Sequence, residues 1–180
     1  RSVMLTGLGE RSLRIGVSYC MNCGQILLNP RLTTESLEVY YQNQSRIPRS
    51  SISVSTGIGH MMSLQADFIL RHFSPKFERS INVFEVGAAE GYFLKHLKER
   101  LPQSRLTIFA LEPSLAYTEI LKQNLPDATV IDTFIENLNA DEIPSQDLII
   151  ARHVIEHLSA PLESLLKIAE ISSPNSLLYI

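Results

Sequence analysis

The order of apolar and polar positions divides the chain into three stretches. From residue 81 onward, short and almost wholly apolar runs alternate with segments whose apolar residues recur every third or fourth position. The runs Ile81–Val86, Leu106–Leu111 and Asp147–Ala151, with a shorter one at Thr129–Ile131, predict strands. Tyr92–Arg100 carries Phe93, Leu94 and Leu97, and Ser114–Asn124 carries Leu115, Ile120 and Leu121; with Pro161–Ser172 these predict helices. Ser176–Ile180 predicts the start of another strand. Strands that are apolar on both faces and joined by helices imply a parallel sheet covered on both sides, an α/β architecture. Upstream, His60–Phe73 places Met61, Leu64, Phe68 and Ile69 near one face of a helix that Pro75 closes. Residues 43–59, polar and containing Pro48, read as a linker or loop. Residues 1–30 are rich in β-formers and glycine and predict a small β-ribbon ended by Pro30. Thr33 is a helix N-cap, with Leu32 and Leu37 placed as a staple, for a helix through Tyr41. The resulting division is 1–42, 43–59 and 60–180.

Composition narrows the picture. A chain of 180 residues that is 44% hydrophobic and 19% charged is long enough for one domain with a core and a small appendage. A net charge of -3 with no long basic run argues against nucleic acid as the main partner. No apolar run reaches membrane-spanning length and no secretory signal opens the chain. Two cysteines, Cys20 and Cys23, do not make a disulfide framework, so a reducing, cytoplasmic setting is expected. The chain opens on Arg1 rather than Met and closes on what reads as a strand just beginning, which predicts part of a longer protein.

The segment Val83–Leu94 carries the strongest chemical signal. It is a buried strand ending in Glu85-Val86, a turn through Gly87-Ala88-Ala89-Glu90-Gly91, and a helix start at Tyr92. Such a unit exposes backbone N–H groups at a helix N-terminus and lets a ligand approach where no Cβ intrudes. It is where α/β proteins hold nucleotide-like cofactors. A dinucleotide fingerprint beginning at Gly87 requires glycine at positions 89 and 92, where this chain has Ala89 and Tyr92.

The pattern Glu85-x-Gly87-x-Ala89-x-Gly91 instead resembles the first motif of class I S-adenosylmethionine-dependent methyltransferases, with Ala89 at the usual middle glycine. Three further segments agree in order: Glu112 closing the second strand before Pro113, Asp132–Leu138 after the third, and Asp147–Leu158, with its Glu156-His157-Leu158, after the fourth. The resemblance covers roughly residues 60–180. It implies a Rossmann-like three-layer sandwich with a mostly parallel sheet, interrupted here after the start of strand five, plus the small N-terminal ribbon.

The resemblance also implies roles. Glu85 and the backbone of Gly87, Ala88, Ala89 and Gly91 would hold the methionyl end of S-adenosyl-L-methionine. Glu112, beside Pro113, would accept hydrogen bonds from the ribose, or would serve only as an acid at a helix start. Phe134 and Ile135 would flank the adenine, with ordinary core packing as the alternative. Arg152 would meet the cofactor or an anionic substrate, or face solvent. The sulfonium methyl is already activated, so the cofactor carries the chemistry and the protein aligns the reactants. Where the acceptor must lose a proton, His153 and His157 are the candidate bases, four apart on a helical turn; a structural role for His157 is the alternative.

Cys20-x-x-Cys23-Gly24 resembles half of a zinc ribbon, a site that needs a second pair. Leu28-Asn29-Pro30-Arg31 and Tyr40-Tyr41 resemble the stretch beyond the second pair in zinc-ribbon methyltransferases that include sugar C-methyltransferases. That likeness implies zinc on Cys20 and Cys23 in the full-length protein, given an upstream pair, and a small-molecule acceptor of the nucleotide-sugar class. Two other functions remain open from sequence: a non-catalytic methyltransferase-like domain that binds cofactor or a partner, and an NAD-dependent oxidoreductase.

Overall fold

The computed structural model describes residues 2–8, 11–42, 57–73, 80–101 and 106–180. The expected linker residues 43–56, with Pro48, and the helix-closing Pro75 lie outside the described residues. The chain forms two compact units, Arg1–Gln44 and Ser45–Ile180.

The first unit is the expected ribbon. Strands β1 (Ser2–Leu8), β2 (Arg11–Tyr19) and β3 (Ile26–Leu28) form an antiparallel sheet in that order. Gly16 is required where β2 meets the segment after β3, because a Cβ there would run into the Asn29 carbonyl oxygen. Helix α1 (Thr34–Gln42) begins as expected, with Thr33 Oγ1 accepting the Ser36 N–H at 3.3 Å. None of residues 16–42 is buried, and Tyr19, Met21, Ile26 and Leu28 are exposed. A ribbon and one helix this small cannot enclose an apolar core.

The second unit is a five-stranded parallel sheet ordered β6-β5-β4-β7-β8. Its strands are β4 (Ile81–Val86), β5 (Leu106–Leu111), β6 (Thr129–Ile131), β7 (Gln146–Ile150) and β8 (Ser172–Tyr179). Alternation along each strand feeds two cores. Ile81, Val83, Ile108, Ala110, Leu148 and Ile150 pack with α2 (Gly57–His72), α3 (Tyr92–Lys98) and α4 (Leu115–Asn124). Phe84, Val86, Phe109, Leu111 and Ile149 pack with α5 (Pro161–Ile171) and with Ile135 and Leu138 of the loop after β6. No described helix is long and apolar enough to cross a membrane.

Three boundaries differ from expectation by two residues or more. Helix α2 begins at Gly57, so residues 57–59 belong to it and not to the linker. Helix α3 stops at Lys98 rather than Arg100. Strand β8 begins at Ser172, directly after α5, because Ser172 pairs with Gln146 before the register jumps to Leu148↔Leu177. Pro174, which has no N–H to donate, lies in that irregular stretch and hides the strand from a pattern reading. Beside it, at the amino ends of β4, β7 and β8, Asp147 is structural: its Oδ2 accepts the Asn82 N–H at 3.0 Å and its Oδ1 accepts the Ser173 hydroxyl at 3.4 Å.

Candidate functional site

The chain runs from β4 outward to β5 and β6, then returns to β7 and β8 on the other side of β4. This leaves a switch point between β4 and β7, where open α/β sheets bind ligands beyond the strand carboxyl ends. The sequence-predicted residues of the second unit lie at the end of β4 and on the segments leaving β4, β5, β6 and β7 at this edge.

The glycine turn is rigidly held. Gly87 and Ala88 both donate their N–H to the Leu111 carbonyl, at 2.8 and 3.0 Å, and Ala89 donates to Glu112 Oε2 at 2.8 Å. Gly87, Ala89 and Gly91 all have positive φ, at 67°, 48° and 78°. A Cβ on Gly87 would stand 2.7 Å from Val154 Cγ2. One on Gly91 would stand 3.1 Å from Leu125 Cδ1 and 3.2 Å from the Leu121 Cγ. Glycine is therefore needed at 87 for both conformation and close approach, whereas Ala89 adopts the left-handed form at about 1–2 kcal/mol.

Glu85 is buried at the end of β4 and pairs loosely with Arg152, whose Nε and Nη2 each lie 3.4 Å from Oε1. Glu85 Oε2 is buried and has no hydrogen-bond partner among the described residues. Burial pushes the Glu85 carboxyl up to about 7, with Arg152 opposing the shift. The Arg152 side chain is 14% exposed; its Nη1 donates to Gln65 Oε1 on α2 at 2.9 Å, and its guanidinium sits 3.7 Å from the Phe93 ring centroid. Arg152 thus points into the protein, not toward solvent.

Glu112 closes β5, buried, with Oε2 on the Ala89 N–H and Oε1 accepting the Ser114 N–H at 2.9 Å. Burial raises its carboxyl above the usual range, against the pull of those two N–H groups. Both readings of this acid therefore have a physical basis: it satisfies the start of α4, and each oxygen keeps a lone pair for another donor. Pro113 is half-buried beside it. Ile135 is fully packed in the core, while Phe134 is half-buried.

The two histidines do not share one α-helical turn. His153 lies in a turn with a left-handed φ of 52°, and His157 ends a tight 3₁₀ turn, Ile155–His157. Both rings are exposed, at 72% and 56%, and both lie near Glu156 Oε1, His153 Nδ1 at 3.9 Å and His157 Nε2 at 4.0 Å. A non-glycine residue in the left-handed region marks stored strain of the kind found at functional sites. Among the described residues no group of three or more His, Cys, Asp or Glu is arranged to hold a metal ion.

In the first unit, the Gly24 N–H donates to the Cys20 carbonyl at 2.9 Å, with Gly24 at φ 78°. The backbone N–H of Cys23, then that of Asn22, lowers the Cys20 thiol from its ordinary value, with a smaller contribution from the Cys23 side chain.

Sequence reasoning missed Gln65, Phe93 as the platform for Arg152, and Val154 as the neighbour of Gly87. Only the apolar spacing of Phe93 marked it as a packing residue; nothing in the sequence linked Gln65 or Val154 to these partners.

A family model described as a methyltransferase domain matches residues 58–180. No curated protein matches the chain. Solved structures do. The plantazolicin methyltransferase BamL, in complex with a triazolic desmethylPZN analogue and SAH, is 20% identical with a TM-score of 0.61, over 69% of this chain and 46% of that one. The CurJ carbon methyltransferase is 17% identical with a TM-score of 0.57, over 65% and 33%. A TehB-like SAM-dependent methyltransferase from Corynebacterium glutamicum is 14% identical with a TM-score of 0.52, over 63% and 59%. The chain spans between a third and three-fifths of the length of these proteins, and shares their fold.

Proposed function

The chain belongs to the methyltransferase-domain family through residues 58–180, and on that basis we propose that it binds S-adenosyl-L-methionine at the carboxyl ends of β4, β5 and β7 and transfers the methyl group to a small-molecule acceptor. The observation that carries this reading is the buried, unpartnered Oε2 of Glu85 beside a glycine turn whose conformation is locked by Glu112. An orphaned buried carboxylate oxygen is costly unless a donor reaches it, and the ammonium of an amino-acid end is such a donor. Family membership favours this reading over the nicotinamide-dependent one.

When bound, the cofactor supplies an activated methyl group on a sulfonium centre. The protein's own residues do the rest. Glu85 and the turn backbone from Gly87 to Gly91 hold the methionyl end; Glu112 receives the ribose hydroxyls while keeping Ala89 in place; Phe134 lies against the adenine, and Ile135 supports it from the core. His153 and His157, with Glu156 between them, take a proton from an acceptor that must lose one.

The ribbon extends the proposal. Its knuckle holds Cys20 by backbone N–H groups, and none of its apolar residues from 16 to 42 is buried. Both features suit a structural zinc completed by a second cysteine pair. With Leu28–Arg31 and Tyr40–Tyr41, they support a nucleotide-sugar acceptor. Calorimetric titration with S-adenosylmethionine and with NAD tests the central claim: heat with the first and none with the second is expected, and the reverse overturns it.

A further inference from the structure

We propose that Arg152 is a positioning residue for Glu85, held by Gln65 and Phe93 so that the Glu85 carboxylate stands ready for a cationic ligand group. This rests on the cofactor reading above. The donors of Arg152 are directed inward: Nε and Nη2 on Glu85 Oε1, Nη1 on Gln65 Oε1, and the guanidinium plane on Phe93. At 3.4 Å its two contacts with Glu85 lie at the long end of hydrogen-bond geometry. The pair is therefore loose, and Oε2 is left without a donor among the described residues. Arg152 is held by three elements and stays put while Glu85 changes partner, so it acts through Glu85 rather than on the ligand.

The consequence is proton linkage. The charged groups acting on Glu85 are Arg152, from the segment after β7, and Glu112, at the end of β5; Gln65 on α2 and Phe93 on α3 are neutral. Burial and Glu112 favour the protonated carboxyl, and Arg152 favours the ionised one. An ammonium at Oε2 selects the ionised form. Below about pH 7, binding must therefore expel a proton from Glu85.

The test is calorimetry on the full chain between pH 5.5 and 8 with two probes. S-adenosylhomocysteine carries the ammonium; 5′-methylthioadenosine lacks the amino-acid end. S-adenosylhomocysteine is expected to bind roughly eightfold tighter at pH 7.5 than at pH 6, from a carboxyl near 7. Methylthioadenosine is expected to bind equally at both. Arg152→Met moves the midpoint of the pH profile upward, Arg152→Lys restores it, and Glu85→Gln makes the profile flat. Gln65→Leu, at a half-buried position, moves the midpoint in the same direction as Arg152→Met by a smaller amount and serves where Arg152→Met does not fold. A merely structural arginine would change stability and leave the midpoint alone. A flat wild-type profile, the same slope with methylthioadenosine, or an unmoved midpoint in Arg152→Met and Gln65→Leu overturns the assignment. No binding of S-adenosylhomocysteine by the wild-type chain at any pH overturns the cofactor reading itself.

Discussion

Gly87→Ala places a methyl group where two separate penalties meet. The backbone there has φ 67°, and a left-handed alanine costs about 1–2 kcal/mol. The new Cβ would stand 2.7 Å from Val154 Cγ2, on a short, β-branched side chain that cannot swing away cheaply. Forcing an extra methyl into such a contact costs about 1–3 kcal/mol. A stiffer unfolded chain returns about 0.4–1 kcal/mol. The net loss is roughly 2–4 kcal/mol, read by urea denaturation monitored with circular dichroism. The two penalties separate in a double-mutant cycle. Val154→Ala removes the clashing methyl, so Gly87→Ala made in that background should cost only about 1 kcal/mol, the conformational part less the unfolded-state gain. Additive effects of the two substitutions, or a Gly87→Ala protein as stable as wild type, would refute the claim that the β7 loop packs on the glycine turn.

The same geometry sets other outcomes. The Glu85 carboxyl is raised, so it binds its proton more tightly when folded; its stabilising effect is full below the ordinary value of 4.5 and lost as pH rises through about 7. Wild-type stability should fall by up to about 3 kcal/mol between pH 5 and 8 from this group, and Glu85→Gln should flatten that slope in urea melts at each pH. Glu112→Ala strips the Ala89 and Ser114 N–H groups of their acceptor, so S-adenosylhomocysteine binding should weaken at least about tenfold and stability drop by about 1–3 kcal/mol; unchanged binding would leave the acid a helix-start residue only. Asp147→Asn turns one of two acceptor oxygens into a donor facing Asn82 or Ser173, and should cost about 1–2 kcal/mol in thermal melts with no direct effect on cofactor affinity.

Much of the second unit is legible along the chain because its signals are local. Ile81–Val86 and Leu106–Leu111 are strands as expected, since an apolar run that long beside a helical period has few other solutions. The Thr33 cap is legible for the same reason: the hydroxyl and the N–H it meets are three residues apart. Strand β8 is longer than its pattern suggests, because its first residues, Ser172–Asn175, are polar or proline and pair through an irregular register. Arg152 does not face solvent; its side chain turns onto Glu85, Gln65 and Phe93. An arginine just past a strand has no local preference for its partner, and here Glu85, Gln65 and Phe93 come from three different elements.

The alternation of strands and helices, the acidic strand end, the glycine turn and the family they imply are all written in the order of residues. Such features depend on neighbours a few residues apart, which the order of side chains specifies directly. What those residues do to one another emerges only when the chain is folded. Folding leaves Glu85 Oε2 without a donor among the described residues, turns Arg152 inward, gives Glu112 a grip on Ala89, and brings Val154 against Gly87. Each of these is a meeting between distant segments. It exists because the sheet order brings the ends of β4, β5 and β7 side by side, and burial there sets the charge each group can carry.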